Sequence, residues 1–448
     1  MKKHLFLFIL SLVMVLTGCR DNDFENSNAL EPVAFNVAVK YDANLGSLAA
    51  ANVNVTLTND ATGDQIKGVT DSNGELKLTS ILPGTYTIMA DINLTKQKYY
   101  ETFGFETNKD EVSFNGSQEK VSVNINVNST TIVLANGVVS DFVIKQYYYA
   151  GSDTTLGALF RDQFIEIHNN SNEVLYADGL YIALLDGNTT NTSSSYTQSN
   201  GQYDWSLSTG NNIGSSANTD YVYASSIIKV PGSGTQYPIQ PGASFIIAQT
   251  AINHKAPYTT NAGVNVPILD PSKTVDLSTA EFETYLGDWA IANGDTPYTY
   301  DIQNPAVPDM NIIYWNGTSK DLLLNTTSRP ALVIFNGVTD TQISAYPKVP
   351  NPKDLTGKLY ARIPKNIIMD GVDTTNKNLT APKDLQNDVD AGRAYIQNSA
   401  GEAYADYTSY SVIRKTKTTI NGRVVLQDTN NSTNDFVTIK ANPKGYAE

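Results

Sequence analysis

The chain has a single cysteine, Cys19, in 448 residues, so no disulfide can form within it and no thiolate cluster can hold a metal. Stability must come from core burial. Histidine is almost as scarce, at three, and only His168 and His254 lie beyond the first 18 residues. Neither has a third ligand or base at a fixed spacing, which argues against a catalytic dyad or zinc site. No run of Lys or Arg interrupts an acidic chain with 31 basic and 45 acidic residues and a net charge of −14. Such a surface repels phosphate backbones, so no nucleic-acid partner is expected. Only one apolar run is long, Leu5 to Leu16, and it is too short to span a bilayer. The chain contains no G-x-S-x-G elbow, H-E-x-x-H helix or phosphate-binding P-loop. These absences favour binding over catalysis.

The N-terminus reads as an address. Lys2 and Lys3 precede the apolar run, which leads into Leu16-Thr17-Gly18-Cys19. That tetrapeptide resembles the lipobox of bacterial lipoproteins, which implies cleavage after residue 18 and a diacylglycerol on Cys19. The following Arg20-Asp21-Asn22-Asp23-Phe24-Glu25 resembles the acidic export signal of Bacteroidetes surface lipoproteins, although a solvated tether has the same composition. Residues 19–31 are polar and aperiodic, as expected of a tether. The resemblance implies a lipid-anchored outer-membrane protein facing the cell exterior.

Residues 32–128 alternate strands with turns. Phe35-Val37-Val39, Val53-Val55-Leu57, Leu76-Leu78, Tyr86-Ile88 and Val121-Val123-Ile125-Val127 carry the period of two. Val69-Thr70-Asp71-Ser72-Asn73-Gly74-Glu75-Leu76 followed by Ile81-Leu82-Pro83-Gly84-Thr85-Tyr86 resembles the carboxypeptidase-regulatory-like (prealbumin-like) β-sandwich. The resemblance implies a non-catalytic stalk or spacer. Asp71, Asn73 and Glu75 alternate as calcium ligands do, but further ligands do not follow, and a hairpin turn is the better reading.

Residues 129–448 differ in kind. Phe164-Ile165-Glu166-Ile167-His168-Asn169-Asn170-Ser171, Pro241-Gly242-Ala243-Ser244-Phe245-Ile246-Ile247-Ala248, Ser411-Val412-Ile413-Arg414 and Asp428-Thr429-Asn430-Asn431-Ser432 occur in that order. They resemble an immunoglobulin-like lamin-tail domain. Together the two modules resemble an uncharacterised group of Bacteroidetes lipoproteins encoded near outer-membrane transporters. The expected fold is therefore all-β: a prealbumin-like sandwich followed by an enlarged immunoglobulin-like one with few helices. The enlargement falls at about 186–237 and 250–400. The first insert is rich in Ser, Thr, Asn and Gly and is expected to form long loops, where binding surfaces are commonly placed. In the second, Ser278 and Glu281 form a capping-box pattern ahead of Phe282, Tyr285, Leu286 and Trp289, which predicts a helix.

Candidate site residues are few. Aromatics can stack on sugar rings or anchor a partner, which singles out Trp205, Trp315 and Tyr148; Trp205, inside the polar insert, is expected to be exposed. Asp428, Asn430 and Asp435 offer hard oxygens in one short loop, so calcium is the one cofactor to consider, against an Asx turn bonded to its own backbone. Glu166, Asp288 and Asp309 could pair as glycosidase carboxylates, a weak signal among so many acids. Asp153-Thr154-Thr155 and Asp373-Thr374-Thr375 resemble a short O-glycosylation signal. The leading expectation is a non-enzymatic surface binding or accessory protein. Its expected partners are the membrane, through the lipid, a TonB-dependent transporter, and a glycan or other nutrient. A surface glycan hydrolase and a purely adhesive lipoprotein remain alternatives.

Overall fold

The computed structural model describes residues 31–42, 45–104, 111–137, 141–188, 194–317, 319–324, 330–375, 382–397, 406–420 and 422–447. Cys19, the signal segment and all of the tether but Glu31 lie outside the described residues. The fold is all-β, with five short α-helices among the described residues.

Seven strands build the first unit: β1 Val33–Tyr41, β2 Asn54–Asn59, β3 Gln65–Val69, β4 Glu75–Ile81, β5 Gly84–Thr95, β6 Glu111–Val123 and β7 Ser129–Gly137. Their order is β3-β2-β5-β6-β7-β1-β4, with β7 antiparallel to β6 and parallel to β1. Alternation does what the sequence requires of it: Phe35, Val37, Val39, Ile88, Ala90 and Phe114 turn inward into one core. The Asp71–Gly74 stretch is a tight turn but not the expected hairpin: it joins β3 and β4, which pair with β2 and β1 and stand at opposite ends of the strand order. Asp71 accepts from the Asn73 and Glu75 amides at 2.9 and 3.0 Å, and Gly74 takes φ +74° where a Cβ would strike the Val39 carbonyl oxygen. The alternating reading fails at its end. The strand stops at Val123, and Asn124–Val127 is a turn closed by the Asn124 side chain, which leaves Ile125 at its apex.

The second unit is a sandwich of two larger sheets. One runs through Phe282–Glu283, Ser244–Ala248, Phe164–Asn169, Phe142–Tyr148, Tyr410–Arg414 and Phe436–Lys440. The other runs through Lys348–Asn351, Asp354–Pro364, Tyr221–Lys229, Tyr181–Leu185, Leu332–Phe335 and Ile368–Val372. Ile144, Tyr147, Ile165, Leu184, Phe245 and Ile334 fill the space between them.

Two expectations about the inserts are corrected. The first insert is not loop alone: Tyr221–Lys229 is a central strand pairing with Tyr181–Leu185, because its apolar, β-branched run was diluted by the polar residues around it. The second insert likewise supplies Leu332–Phe335, Asp354–Pro364 and Ile368–Val372. The predicted helix from Ser278 does not form. Phe282–Glu283 pairs parallel with Ile247–Ala248, Glu281 accepts from the Ile246 amide at 2.8 Å, and only Gly287–Ala292 is helical. An open sheet edge offered backbone partners that an isolated capping pattern does not. A complete capping box sits instead at Thr339 and Gln342.

Candidate functional site

The outer faces of β5 and β6 carry polar side chains, as alternation demands, yet Ser113 and Asn115 are buried because the second sandwich docks on them. The docking element is the loop Asp428–Asp435. Ser113 donates to the Asp428 carbonyl at 3.1 Å and Asn115 to the Thr429 carbonyl at 2.9 Å. Asn434 donates to Asp91 at 3.4 Å, and Lys417–Glu111 and Arg393–Glu119 ion pairs flank the contact.

That loop is held from below by Arg414. Its Nη2 donates to both oxygens of Asp370 at 2.9 and 2.7 Å, and its Nη1 to Asp428 at 3.2 Å and Asp435 at 3.3 Å. Its Nε donates to the Ile144 carbonyl at 2.9 Å. Arg414 and Asp370 lie on opposite sheets, so the pair also staples the sandwich across its core. Burial pushes Asp370 and Asp435 up to about 7 against the pull of Arg414. Asp428 and Asp435 thus spend their oxygens on a guanidinium, while Asn430 takes φ +50° in the turn. Calcium would have to displace Arg414, and the Asx-turn alternative describes the loop. Arg414 itself, the centre of this arrangement, stands out in the sequence only as the last residue of the Ser411–Arg414 stretch that carries the lamin-tail resemblance.

The aromatic candidates are not brought together. Trp205 is 7% exposed, against the expectation, because it stacks on Tyr223 with centroids 3.8 Å apart and meets Tyr203 and Tyr360 edge-on. Tyr148 is fully buried with its hydroxyl on Asp162, since both faces of the Phe142–Tyr148 strand are covered. Trp315 is half-buried against the sandwich core and donates Nε1–H to the Ser319 carbonyl at 2.9 Å. Trp205 and Tyr148 are therefore closed to a ligand, while Trp315 stays partly exposed. Glu166 is buried on Lys145 at 2.9 Å; Asp288, exposed in a short helix, lies near enough to Asp309 to repel it, and Asp309 also accepts from Gln303. His168 and His254 are buried, and desolvation lowers each to about 4. Thr154 and Thr155 are exposed, whereas Thr374 and Thr375 are buried.

What the two sandwiches do enclose is a groove of about 500 Å³ beside the docked loop. β6 supplies Asn115, Ser117 and Gln118; the first insert supplies Gln198, Asn200 and Gln202; Gln386 and Asn387 close it from the second. Charges on its rim are matched, Lys365 with Asp388 and Glu119 with Arg393. Three residues lining this groove each carry a buried polar atom with no hydrogen-bond partner among the described residues: Asn115 Oδ1, Ser117 Oγ and Gln386 Oε1. Asn115 is 1% exposed. Such atoms cost about 1–3 kcal/mol each unless a partner comes from outside the chain. A larger groove, of about 790 Å³ on the opposite side of the loop, has no such atom among its described lining residues. Trp205 backs the smaller groove: its amide donates to Asn218 at 2.8 Å, and the adjacent Tyr203 carbonyl fixes Gln198 at 2.9 Å. In the sequence, only the polar composition of the first insert, rich in Ser, Thr, Asn and Gly, pointed towards this wall.

Burial also perturbs carboxyls elsewhere. Asp301 is raised to about 8 and Glu283 to about 7, chiefly by desolvation. A carboxyl whose folded value is raised contributes stability present below about 4 and lost as pH rises through its folded value. The two histidines act oppositely, losing stability only as pH falls below about 6.5. Asp301 therefore costs about 1.4 kcal/mol per pH unit up to about 8. The melting temperature is expected to be higher at pH 6.5 than at pH 8.5. Asp301→Asn keeps an acceptor for the Leu286 amide and should shrink that difference; an unchanged difference in calorimetry would contradict the assignment.

A family model described as a protein of unknown function (DUF4876) matches residues 240–443, somewhat less than half of the chain. The chain is similar to the crystal structure of a DUF4876 family protein from Bacteroides thetaiotaomicron. The two are 24% identical over 93% of this chain and 98% of that one, with a TM-score of 0.51, a likeness of fold. A candidate adhesin from Bacteroides ovatus is 12% identical over 79% of this chain and 89% of that one, and its TM-score of 0.16 is too low to inform the fold. No curated protein matches. The family model and the first structure fit an uncharacterised Bacteroidetes-type family. No helix among the described residues is long and apolar enough to cross a membrane.

Proposed function

We propose that this chain is a surface lipoprotein, anchored through Cys19, that binds a neutral polyhydroxylated ligand such as a glycan in the groove between its two sandwiches. The observation that carries this reading is the set of three unpartnered polar atoms, from Asn115, Ser117 and Gln386, on one amide-lined wall. An amide offers an acceptor and two donors, which suits adjacent sugar hydroxyls, and the matched rim charges favour a neutral ligand. The first sandwich serves as the prealbumin-like stalk. The lamin-tail-like second sandwich presents the groove to a partner, for which the sequence resemblance favours a TonB-dependent transporter. No turnover accompanies binding.

The test is a glycan array probed with the unlipidated chain, residues 20–448, followed by titration of any hit. Ser117→Ala removes a hydroxyl that has no partner among the described residues and is expected to weaken binding about three- to tenfold. Gln386→Ala should weaken it further. Affinity unchanged in both variants would overturn the groove assignment, and depolymerisation of the hit would favour the hydrolase.

A further inference from the structure

The end of the first sandwich that receives the chain from residue 31 is apolar where turns are ordinarily polar. Val33 at the start of β1 pairs with Ile81 at the end of β4, and Gly84 at the start of β5 pairs with Val123 at the end of β6. The Leu82–Pro83 turn and the Asn124–Val127 turn therefore stand at the same end. Leu82 is 55% exposed, Val127 40% and Ile125 81%. Both turns are fixed: the Tyr86 hydroxyl donates to the Leu82 carbonyl at 2.8 Å, and Asn124 Oδ1 accepts from the Asn126 and Val127 amides. A rigid turn that holds an isoleucine at its apex gives up exposed apolar surface with no return from the protein core. Among the described residues, the second sandwich meets β6 between Glu111 and Lys120, away from this end.

We propose that this tip docks on the outer surface of the bilayer that holds Cys19, with Leu82, Ile125 and Val127 seated in the headgroup region. The proposal rests on the lipid anchoring read above. Residues 20–30 join the anchor to this same end, and eleven residues reach at most about 40 Å. The tip is thus the part of the fold that the anchor keeps nearest to lipid. Residues 81–85 and 122–128 contain no Lys or Arg, while Asp60 and Asp64 lie on the β2–β3 turn at this end. The contact is therefore apolar, without attraction to anionic lipid. Docking would fix the stalk's orientation and direct the groove away from the membrane.

The experiment supplies its own tether. Residues 20–448 with an N-terminal His tag are held on phosphatidylcholine vesicles containing a nickel-chelating lipid, with Ile125→Cys carrying an environment-sensitive fluorophore. The expected result is a blue-shifted emission at least twofold brighter, quenched by headgroup-region spin-labelled lipid and cut by half or more in a Leu82→Asp/Val127→Asp background. A label at Ser72, on the opposite turn, should not respond. Aqueous emission from residue 125 on tethering would overturn the proposal. So would a change seen only on anionic vesicles, or one that follows protein concentration without vesicles, which would mean self-association. Lipidation is read separately, by fatty-acid labelling of Cys19 in cells. Loss of that label would refute the anchor without touching the vesicle result.

Discussion

Arg414→Met should lower the melting temperature of the second sandwich by on the order of 10 °C. Six hydrogen bonds tie this side chain to Asp370, Asp428, Asp435 and two backbone carbonyls, and it is almost wholly buried. Removing it strands three carboxylates in the core, and breaking a buried pair costs about 3–5 kcal/mol. At about 2–4 °C per kcal/mol for a domain of this size, the shift is large. Much of the loss is the penalty on the abandoned carboxylates. Adding Asp370→Asn and Asp435→Asn to Arg414→Met should therefore restore part of the stability, a non-additivity visible by calorimetry. Equal loss in the single and triple variants would show that Arg414 acts only by packing. The same variant should loosen the junction, because the carbonyls that receive Ser113 and Asn115 belong to the loop that Arg414 secures.

Trp205→Ala is the second large effect. The indole stacks on Tyr223 at an interplanar angle of 7° and closes a cluster with Tyr203, Tyr360 and Val349. Truncating a buried tryptophan costs about 3–5 kcal/mol. The loss is local, since the cluster is separate from the main core between the sheets. The expected result is faster proteolysis within 194–219 and at least tenfold weaker glycan binding, with the first sandwich unaffected. Trp205→Phe, which keeps a ring on Tyr223, should recover most of both. Retained binding in Trp205→Ala would separate the insert from the groove.

Much of the fold was legible because alternation and turn chemistry are local. Phe35-Val37-Val39, the Asp71–Gly74 turn and the Phe164–Asn169 strand follow from their own residues and neighbours. The errors arose where a distant partner decided the outcome. Ser278 and Glu281 carried a capping pattern, but Ser244–Ala248 offered Phe282–Glu283 a strand to join. Trp205 sat in a polar stretch, and nothing nearby in sequence announced Tyr360, which it meets in space. The groove was less legible still. Ser113, Asn115 and Ser117 form the outward row of an ordinary alternating strand, and only docking turns that row into an interface wall. The Asp428–Asp435 loop drew notice for its oxygens; its use as a latch depended on Arg414 from one strand and Asp370 from the opposite sheet.

The most direct test of the central claim is made on whole cells. Cells lacking the native chain would display either wild type or the Ser117→Ala/Gln386→Ala double variant, at matched surface levels. A fluorescent form of the glycan found on the array is then scored by cytometry. The account predicts that wild-type cells take up label and that double-variant cells fall at least tenfold, towards the level of cells with no displayed chain. Equal labelling of both would contradict the account, because the glycan would then bind somewhere other than the groove between the two sandwiches.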